Sequence, residues 1–368
     1  MLSRLKLYFK NFDWIILAAI LLLMVFGLVE IYSVALGRGS LDLLNFKKQI
    51  FFVGFGLFLT LVFSLIDSHF LKSLSRYWYI LGVVVLVAVL IFGDTIRGTK
   101  GWFNIFGFGV QPVEFVKIIL ILFLASFFSN LATRVKTARH FIFSAVSSFV
   151  LIGLVSLQPD FGSALILTAI WLVMILAAGF NKKYFIWIGI TVVIVLTASW
   201  FFLFRDYQKA RVQNFLNPQS NSLGSGYNIS QAIIAVGAGG LTGRGVGFGS
   251  QSQLKFLPEA QNDFIFSVIA EELGFLGVML ILGFYFIFFF RCFTVLKKIN
   301  NDFGIYFIIG ATGLIFIQMF INIGMNLGIM PVVGLPLPFI SYGGSSLLSL
   351  MIIVGIIENI IIKSKIRY

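Results

Sequence analysis

Ten apolar runs, each near the length of a membrane-spanning helix, constrain this chain more than any other feature. A spanning helix needs about 20 apolar residues. Its backbone must satisfy its own hydrogen bonds, because the bilayer core offers no water. We therefore predict an all-α polytopic membrane protein with about ten transmembrane helices, near 14–36, 50–65, 77–92, 113–128, 141–157, 164–180, 184–204, 264–290, 303–327 and 346–362.

Composition supports a membrane protein and argues against other classes. Hydrophobic residues make up 59% of the chain and charged residues only 11%, too few to cover a water-soluble fold. The net charge of +13 comes from short basic clusters between apolar runs, whereas a nucleic-acid-binding protein gathers its basic residues on one face. We therefore expect no nucleic-acid partner.

The basic clusters also orient the chain. With the N-terminus inside, 16 of the 27 Lys and Arg residues fall in cytoplasmic segments, as the positive-inside rule requires. We predict cytoplasmic termini and a single membrane domain over 1–368. A long extracytoplasmic loop, 205–262, joins the seventh and eighth helices. Its apolar stretch 229–241 is too short to span and predicts a re-entrant or interfacial segment.

Polar clusters lie at the predicted outer ends of several helices. Asp263 immediately precedes an apolar run, where its carboxylate is placed either to act as a general base or to cap the helix. The cap is the more ordinary of these roles, and the two are compatible. Glu114 and Lys117 are three residues apart and are expected to pair on one helix face. Asp160 is a further cavity candidate, whereas Glu271 and Glu272 fit a structural role better.

Five cations are candidates for contacting a diphosphate as charge-assisted donors. For Arg97 and Lys100, which precede Trp102, ordinary solvation is the better explanation. The five candidates are Lys117, Arg97, Lys100, Arg211 and Arg244.

The segment 331–346 contains Pro331, Pro336 and Pro338 and several glycines, so it is not a regular helix. Irregular backbone at membrane depth is tolerated only against protein or a wet cavity, which predicts a cavity wall. Ser341, Gly343 and Gly344 are candidate phosphate contacts within it. No nucleotide-binding motif is present.

Metal binding has weak support in the sequence. The two histidines, His69 and His140, are isolated and fall in predicted cytoplasmic segments, so no metal site can be drawn. No cofactor is assigned. Whether a divalent cation, Mg²⁺ or Mn²⁺, neutralises the diphosphate is left open by the sequence.

Together these motifs resemble the SEDS family of bacterial shape, elongation, division and sporulation proteins. The run 322–346 matches the family signature throughout, and the resemblance extends over nearly the whole chain through Gln111-Pro-Val-Glu, Gln158-Pro-Asp-Phe-Gly and Gly239-Gly-Leu-Thr-Gly. Pro331-Val-Val-Gly is more similar to the elongation branch, RodA, than to the division branch, FtsW.

The resemblance implies a peptidoglycan glycosyltransferase that polymerises lipid II on the outer face of the bacterial plasma membrane during elongation and rod-shape maintenance. Asp263 would be its essential acid, deprotonating the acceptor sugar hydroxyl. Glu114, Lys117 and Asp160 match positions that line or support the cavity. The implied partners are a class B penicillin-binding protein, similar to PBP2, and other membrane proteins of the elongation complex.

Three departures from the family pattern occur, at Gln261-Asn262, at Val113 and at Gly101. Gly101 stands where an Arg is frequent, which makes Lys100 or Lys117 the better contact for the diphosphate. Other functions remain open: a lipid II flippase, an FtsW-like division enzyme or a membrane scaffold. One-sided polar clusters favour outward-facing chemistry over transport.

Overall fold

The computed structural model describes residues 10–37, 43–96, 98–105, 107–131, 137–181, 183–186, 189 and 225–366. Among these residues, nine helices are long and apolar enough to cross a membrane. They match nine of the ten predicted spans, and the remaining one, 184–204, lies almost wholly outside the described residues. The helices are α1 (Trp14–Leu36), α2 (Leu44–Leu65), α3 (Ser68–Ser73), α4 (Ser75–Phe92), α5 (Pro112–Ser129), α6 (Ala138–Leu157), α7 (Phe161–Ala178), α8 (Ser225–Ala238), α9 (Ser250–Gln253), α10 (Ile265–Leu296), α11 (Asp302–Asn326) and α12 (Gly344–Ile366).

The long helices run between two ends of one bundle, which we name the Asp263 end and the Lys363 end. The last turn of α11 contacts Asp263 through Asn322 and Asn326, which places the start of α10 and the end of α11 together. At the other end, Lys363 of α12 pairs with Asp67, which follows α2. Each end is thus fixed by contacts between distant parts of the sequence.

The centre of the bundle is formed by α12, α5 and α11, which are mostly buried. α12 packs along α2, α11 along α5 and α7, and α10 along α1. Small residues allow close approach: a Cβ on Gly355 would lie 2.7 Å from the Thr60 carbonyl oxygen. The Thr60 hydroxyl donates to the Met351 carbonyl at 2.9 Å. Small residues and interhelical hydrogen bonds of this kind hold helices together in lipid.

A small antiparallel sheet lies at the Asp263 end between α4 and α5, and the all-α prediction missed it. Its strands are β1 (Asp94–Ile96), β2 (Thr99–Ile105) and β3 (Phe108–Val110), in that order. Gly98 and Gly107 take positive φ at the two turns. Phe108 stacks on Phe51 of α2, so the sheet packs back onto the bundle.

The apolar stretch predicted as re-entrant or interfacial forms α8, which lies against α10 and α11 at the Asp263 end. The chain then crosses α10 closely, since a Cβ on Gly239 would lie 1.8 Å from the Ala270 carbonyl oxygen. α10 itself is interrupted at Gly274, which has φ 66° and ψ −164°. The part of the long loop at 205–224 lies outside the described residues.

Candidate active site

Asp263 is half-buried and lies two residues before α10. Phe264 occupies the N-cap position of this helix, so Asp263 is not the N-cap residue that the sequence suggested. The Asp263 backbone is instead held by two fully buried amides: Asn322 and Asn326 each donate to its carbonyl oxygen at 3.0 Å. This support could not be predicted from the sequence, because the two Asn residues are uncharged and lie 59 and 63 positions away along the chain.

A non-helical segment, 327–343, forms a wall beside Asp263, as the prolines and glycines predicted, although residues 344–346, also predicted to be irregular, begin α12. Gly334 has a φ of 73°, and a Cβ there would lie 3.6 Å from the Asp263 carboxylate oxygen Oδ2. Asn322 also donates to the Leu335 carbonyl at 2.7 Å, so one amide connects the wall with the Asp263 backbone. Buried Tyr285 of α10 donates to the Pro338 carbonyl. The wall is therefore fixed from both α10 and α11.

Ser341, Gly343 and Gly344, the predicted phosphate contacts, all belong to this wall or to its junction with α12. The Ser341 hydroxyl donates to the Asn262 carbonyl at 2.6 Å and accepts the Leu337 N–H at 2.8 Å. The Gly343 N–H donates to Gln49 at 3.3 Å. A Cβ on Gly344 would lie 2.4 Å from the Phe52 ring. All three residues thus hold the wall against its neighbours, Ser341 and Gly343 through hydrogen bonds and Gly344 through close packing.

Glu114 and Lys117 form the predicted ion pair in the first turns of α5, with an N···O distance of 2.7 Å. Both are almost fully buried. Gln111, at the N-cap of α5, donates from its side chain to Asp160 Oδ2 at 3.0 Å. Asp160 caps α7 by accepting the Ser163 N–H and hydroxyl, at 3.0 and 2.8 Å. Asp160 thus has a clear structural role and also belongs to the polar network beside the pair.

The wall joins the Asp263 region to this second network. A Cβ on Gly162, next to Asp160 and Phe161, would lie 2.7 Å from the Val333 carbonyl oxygen of the wall. At the other end of the wall, the Ser345 hydroxyl accepts the Gln111 N–H at 3.0 Å. The starts of α5, α7, α10 and α12 therefore meet around one irregular segment.

The other predicted cations are placed differently. The Lys100 ammonium donates to the Ile91 carbonyl at 3.2 Å, at the end of α4. Exposed Arg244 folds back on its own loop and donates to the Ala238 carbonyl at 3.3 Å and to the Ser250 hydroxyl at 3.0 Å. Within the described residues, neither Lys100 nor Arg244 directly contacts Asp263 or Asp160. Arg97 and Arg211 lie outside the described residues.

A buried acidic cluster anchors the glycine-rich loop, and its third member was missed. Glu271 accepts the Gln251 and Ser252 N–H groups, and Glu272 accepts the Gly247 N–H at 3.0 Å and the Ser33 hydroxyl. Both are fully buried, which fits the predicted structural role. Buried Glu30 of α1 lies against Glu272. The sequence did contain a signal for Glu30: it is a single carboxylate within the apolar run 14–36, and such residues usually face the interior of a helix bundle.

Within the described ranges, no three His, Cys, Asp or Glu side chains are grouped so as to hold a metal ion. Glu271 and Glu272 use their oxygens to accept hydrogen bonds from backbone N–H, hydroxyl and amide donors. The buried ammonium of Lys117 pairs with the Glu114 carboxylate.

Comparison with known proteins gives a consistent family. The model for FtsW, RodA and SpoVE, described as a cell cycle protein, matches residues 13–366. The chain is 36% identical over 353 residues to the peptidoglycan glycosyltransferase MrdB of Escherichia coli K12, covering 95% of this chain and 93% of MrdB.

Solved structures agree. A chain from a peptidoglycan synthase complex, solved to explain how polymerization and crosslinking are coordinated, matches with a TM-score of 0.81 and 28% identity, over 97% of this chain and 98% of that one. The rod shape determining protein RodA of Thermus thermophilus matches with a TM-score of 0.72 and 26% identity over the same shares. This chain therefore belongs to the SEDS family of FtsW, RodA and SpoVE, and within it is RodA-like.

Proposed function

We propose that this chain is a peptidoglycan glycosyltransferase that polymerises lipid II during cell elongation and rod-shape maintenance. The observation that carries the proposal is the position of Asp263, half-buried beside an irregular wall with its backbone fixed by two buried amides. A carboxylate held on a fixed backbone is well placed to act as a general base, because proton transfer requires a defined geometry. The similarity to MrdB, a peptidoglycan glycosyltransferase, supports the reaction class.

In the proposed reaction, Asp263 accepts the proton of the acceptor sugar hydroxyl. The hydroxyl oxygen forms a bond to the anomeric carbon of the donor strand, while the bond from that carbon to the diphosphate oxygen breaks. Undecaprenyl diphosphate leaves with the electron pair. Developing negative charge on this leaving group is stabilised by a nearby cation. The candidates are Lys117, which is paired with Glu114, and Lys100, whose ammonium donates to the Ile91 carbonyl.

An apolar recess of about 380 Å³ lies between α4 and α5 and extends to the sheet. Its lining includes Trp78, Phe115 and Val116 from the helices and Phe103 and Val110 from β2 and β3. An isoprenoid chain is wholly apolar and matches this lining. The recess therefore supports a lipid-linked substrate whose polar head lies near the sheet and the start of α5.

The proposed orientation puts the Asp263 end outside the plasma membrane and both termini in the cytoplasm. It rests on the excess of basic residues at the Lys363 end, where juxtamembrane Lys and Arg favour the cytoplasm. A maleimide probe that cannot cross membranes tests it in spheroplasts, with Cys292 buried and giving little background. Val246→Cys should label and Lys298→Cys should not, and the reverse pattern would reject the orientation.

The proposed partner is a class B penicillin-binding protein, similar to PBP2, within a larger elongation complex. The similarity to a chain from a peptidoglycan synthase complex supports such a partnership. Copurification of the tagged chain from its own membranes, followed by mass spectrometry, tests it. Recovery of the chain without any penicillin-binding protein would count against the partner.

The reaction itself is tested in proteoliposomes containing the purified chain, with and without its partner, and fluorescent lipid II. The proposal predicts a ladder of glycan strands on a gel. Movement of lipid II between leaflets without any glycan product would favour a flippase and reject the glycosyltransferase. An elongation enzyme should also restore rod shape in cells lacking their own RodA, whereas an FtsW-like enzyme should restore division instead.

A further inference from the structure

Two adjoining recesses lie at the Lys363 end, far from Asp263, between the last turns of α10 and α12 and the segment before α11. Their volumes are about 260 and 110 Å³. They share Lys298 and Ser364, and together we call them the basic recess. The residues that matter for charge are Arg291, Lys297, Lys298, Lys363 and Lys365, with His69 at one edge.

Charge within the basic recess is only partly balanced. Arg291 pairs with Asp13 at 2.8 Å, and Lys363 pairs with Asp67. Among the described residues, no carboxylate forms an ion pair with Lys297, Lys298 or Lys365.

Among the described residues, other nearby groups compensate these lysines only in part, since buried Glu358 interacts electrostatically with Lys365 and Arg291. Lys365 donates to the Asn11 carbonyl at 2.8 Å, a neutral acceptor. Glu358 lies deeper, fully buried, and accepts the Asp13 N–H at 2.9 Å. Lys297 and Lys298 are exposed at the mouth. The basic recess therefore has an excess of positive charge and suits an anion.

The position and the chemistry of these donors favour a phosphate group. Lysine ammonium groups bind phosphate as point charges, without a fixed orientation. The basic recess lies at the ends of membrane-spanning helices, which is the depth of lipid headgroups. Basic pockets between helix ends are typical sites for anionic lipid headgroups.

One face of α10 continues from the basic recess into the apolar part of the bundle surface. The hydroxyl of Thr294, which lines the recess, donates to the Phe290 carbonyl one turn earlier. Phe290 and Phe286 stack with ring centroids 5.9 Å apart, and their side chains are 61% and 67% exposed. A soluble phosphate compound would leave this face unused, whereas a lipid would cover it with an acyl chain.

We propose that the basic recess binds the phosphate headgroup of an anionic phospholipid, with an acyl chain against Phe286 and Phe290. Such a lipid would bridge the ends of α10 and α12 that lie opposite Asp263. The inference is independent of the proposed reaction, because it rests on the opposite end of the bundle.

Native mass spectrometry of the full chain with dioleoyl phosphatidylglycerol tests this site. The variant Lys297→Gln/Lys298→Gln removes two exposed charges and should weaken binding of that lipid about 30-fold, because each lysine near an anionic headgroup strengthens binding about fivefold. The matched control Lys72→Gln/Arg76→Gln removes two charges at the same end but outside the basic recess, and should bind as the unchanged chain does. Equal binding by the two double variants would overturn the site.

Two further arms identify the ligand. Phe286→Ala/Phe290→Ala should weaken phosphatidylglycerol binding several-fold, and unchanged binding would overturn the acyl-chain contact. Inorganic phosphate or glycerol phosphate at the same concentration should displace little lipid. Displacement by either soluble anion would show a soluble-anion site and reject the lipid. Zwitterionic dioleoyl phosphatidylcholine should bind all variants alike, and a charge-dependent loss for this lipid would also contradict the proposal.

Discussion

At the scale of single residues, the Glu114–Lys117 ion pair has the clearest energetic consequence. Both side chains are buried, so removing one partner leaves the other charge without compensation. Breaking a buried pair in this way costs about 3–5 kcal/mol, whereas replacing both partners is far less costly. We expect Glu114→Gln to lower the melting temperature of the detergent-purified chain strongly and Glu114→Gln/Lys117→Met to recover most of it.

An activity assay of the same double variant distinguishes a structural role of the ion pair from a role in the reaction. If Lys117 meets the diphosphate, the double variant should stay deficient in lipid II polymerisation although it is stable again. A double variant that melts as low as Glu114→Gln would contradict the energetic argument. Full activity in the stable double variant would remove Lys117 from the proposed mechanism.

Asp67 offers a pH-dependent prediction outside the spanning helices. The hydrogen bond from Lys363, followed by that from the His69 N–H, holds the pKa of Asp67 below its usual range. A lowered folded-state pKa gives stability that is present above the unfolded-state pKa of about 3.9 and is lost as pH falls through the lower value. The melting temperature of the unchanged chain should exceed that of Asp67→Asn at neutral pH, and the gap should close in acid.

Exposure of Asp67 makes this gap small. Repeating the comparison in a Lys363→Met background is the control, because the main cause of the lowered pKa is then absent. A gap that persists in acid, or that is unchanged in that background, would contradict the assignment.

At the residue scale, sequence reasoning worked where spacing along one helix decided the contact. The three-residue separation of Glu114 and Lys117 predicted their pairing, and the prediction is confirmed. The support of Asp263 by Asn322 and Asn326 was beyond such reasoning, because it depends on how α11 packs against the start of α10. The roles of the predicted site residues in catalysis stay predictions.

At the scale of elements, the contact between α1 and the wall leaves no room for a side chain. A Cβ on Gly27 would lie 2.3 Å from the Ile340 carbonyl oxygen and 2.9 Å from its Cα, both backbone atoms that cannot rotate away. We expect Gly27→Ala to move the wall, lower the melting temperature and reduce polymerisation.

Gly54→Ala in α2 is the matched control, since nothing lies within 4 Å of a Cβ there. Alanine is favoured over glycine in a helix by about 0.5–1 kcal/mol, so this variant should be as stable as the unchanged chain or slightly more stable. Equal behaviour of the two variants in a thermal melt would show that α1 and the wall are not in close contact.

The elements themselves were predictable to different degrees. Apolar runs predicted nine spans because membrane depth imposes a minimum length, although α10 extends to Leu296, six residues beyond the predicted end. The small sheet was missed because its strands are only three to seven residues long and follow no long alternation. The sequence signal for the sheet was the pair of turn glycines, Gly98 and Gly107, that separate its strands.

At the scale of the whole molecule, the packing brings polar groups from distant segments to one end. The wall lies between Asp263 on one side and the Gln111–Asp160 network on the other. Clustering at one end was predictable from helix direction alone. The specific contacts could not be predicted, because they involve the wall. Its irregular backbone has no periodic pattern from which contacts can be derived.

The role of Asp263 as the general base for glycan polymerisation is the part of the proposed function on which the reaction most depends. Its most direct test is the rate of lipid II polymerisation by Asp263→Asn in proteoliposomes with the partner, beside Asp302→Asn at the opposite end as a control. Loss of a general base slows a reaction by about 10²–10⁴-fold. We predict a loss of that size for Asp263→Asn with an unchanged melting temperature and normal activity for Asp302→Asn. A folded Asp263→Asn variant that polymerises lipid II at the normal rate would show that Asp263 is not the general base.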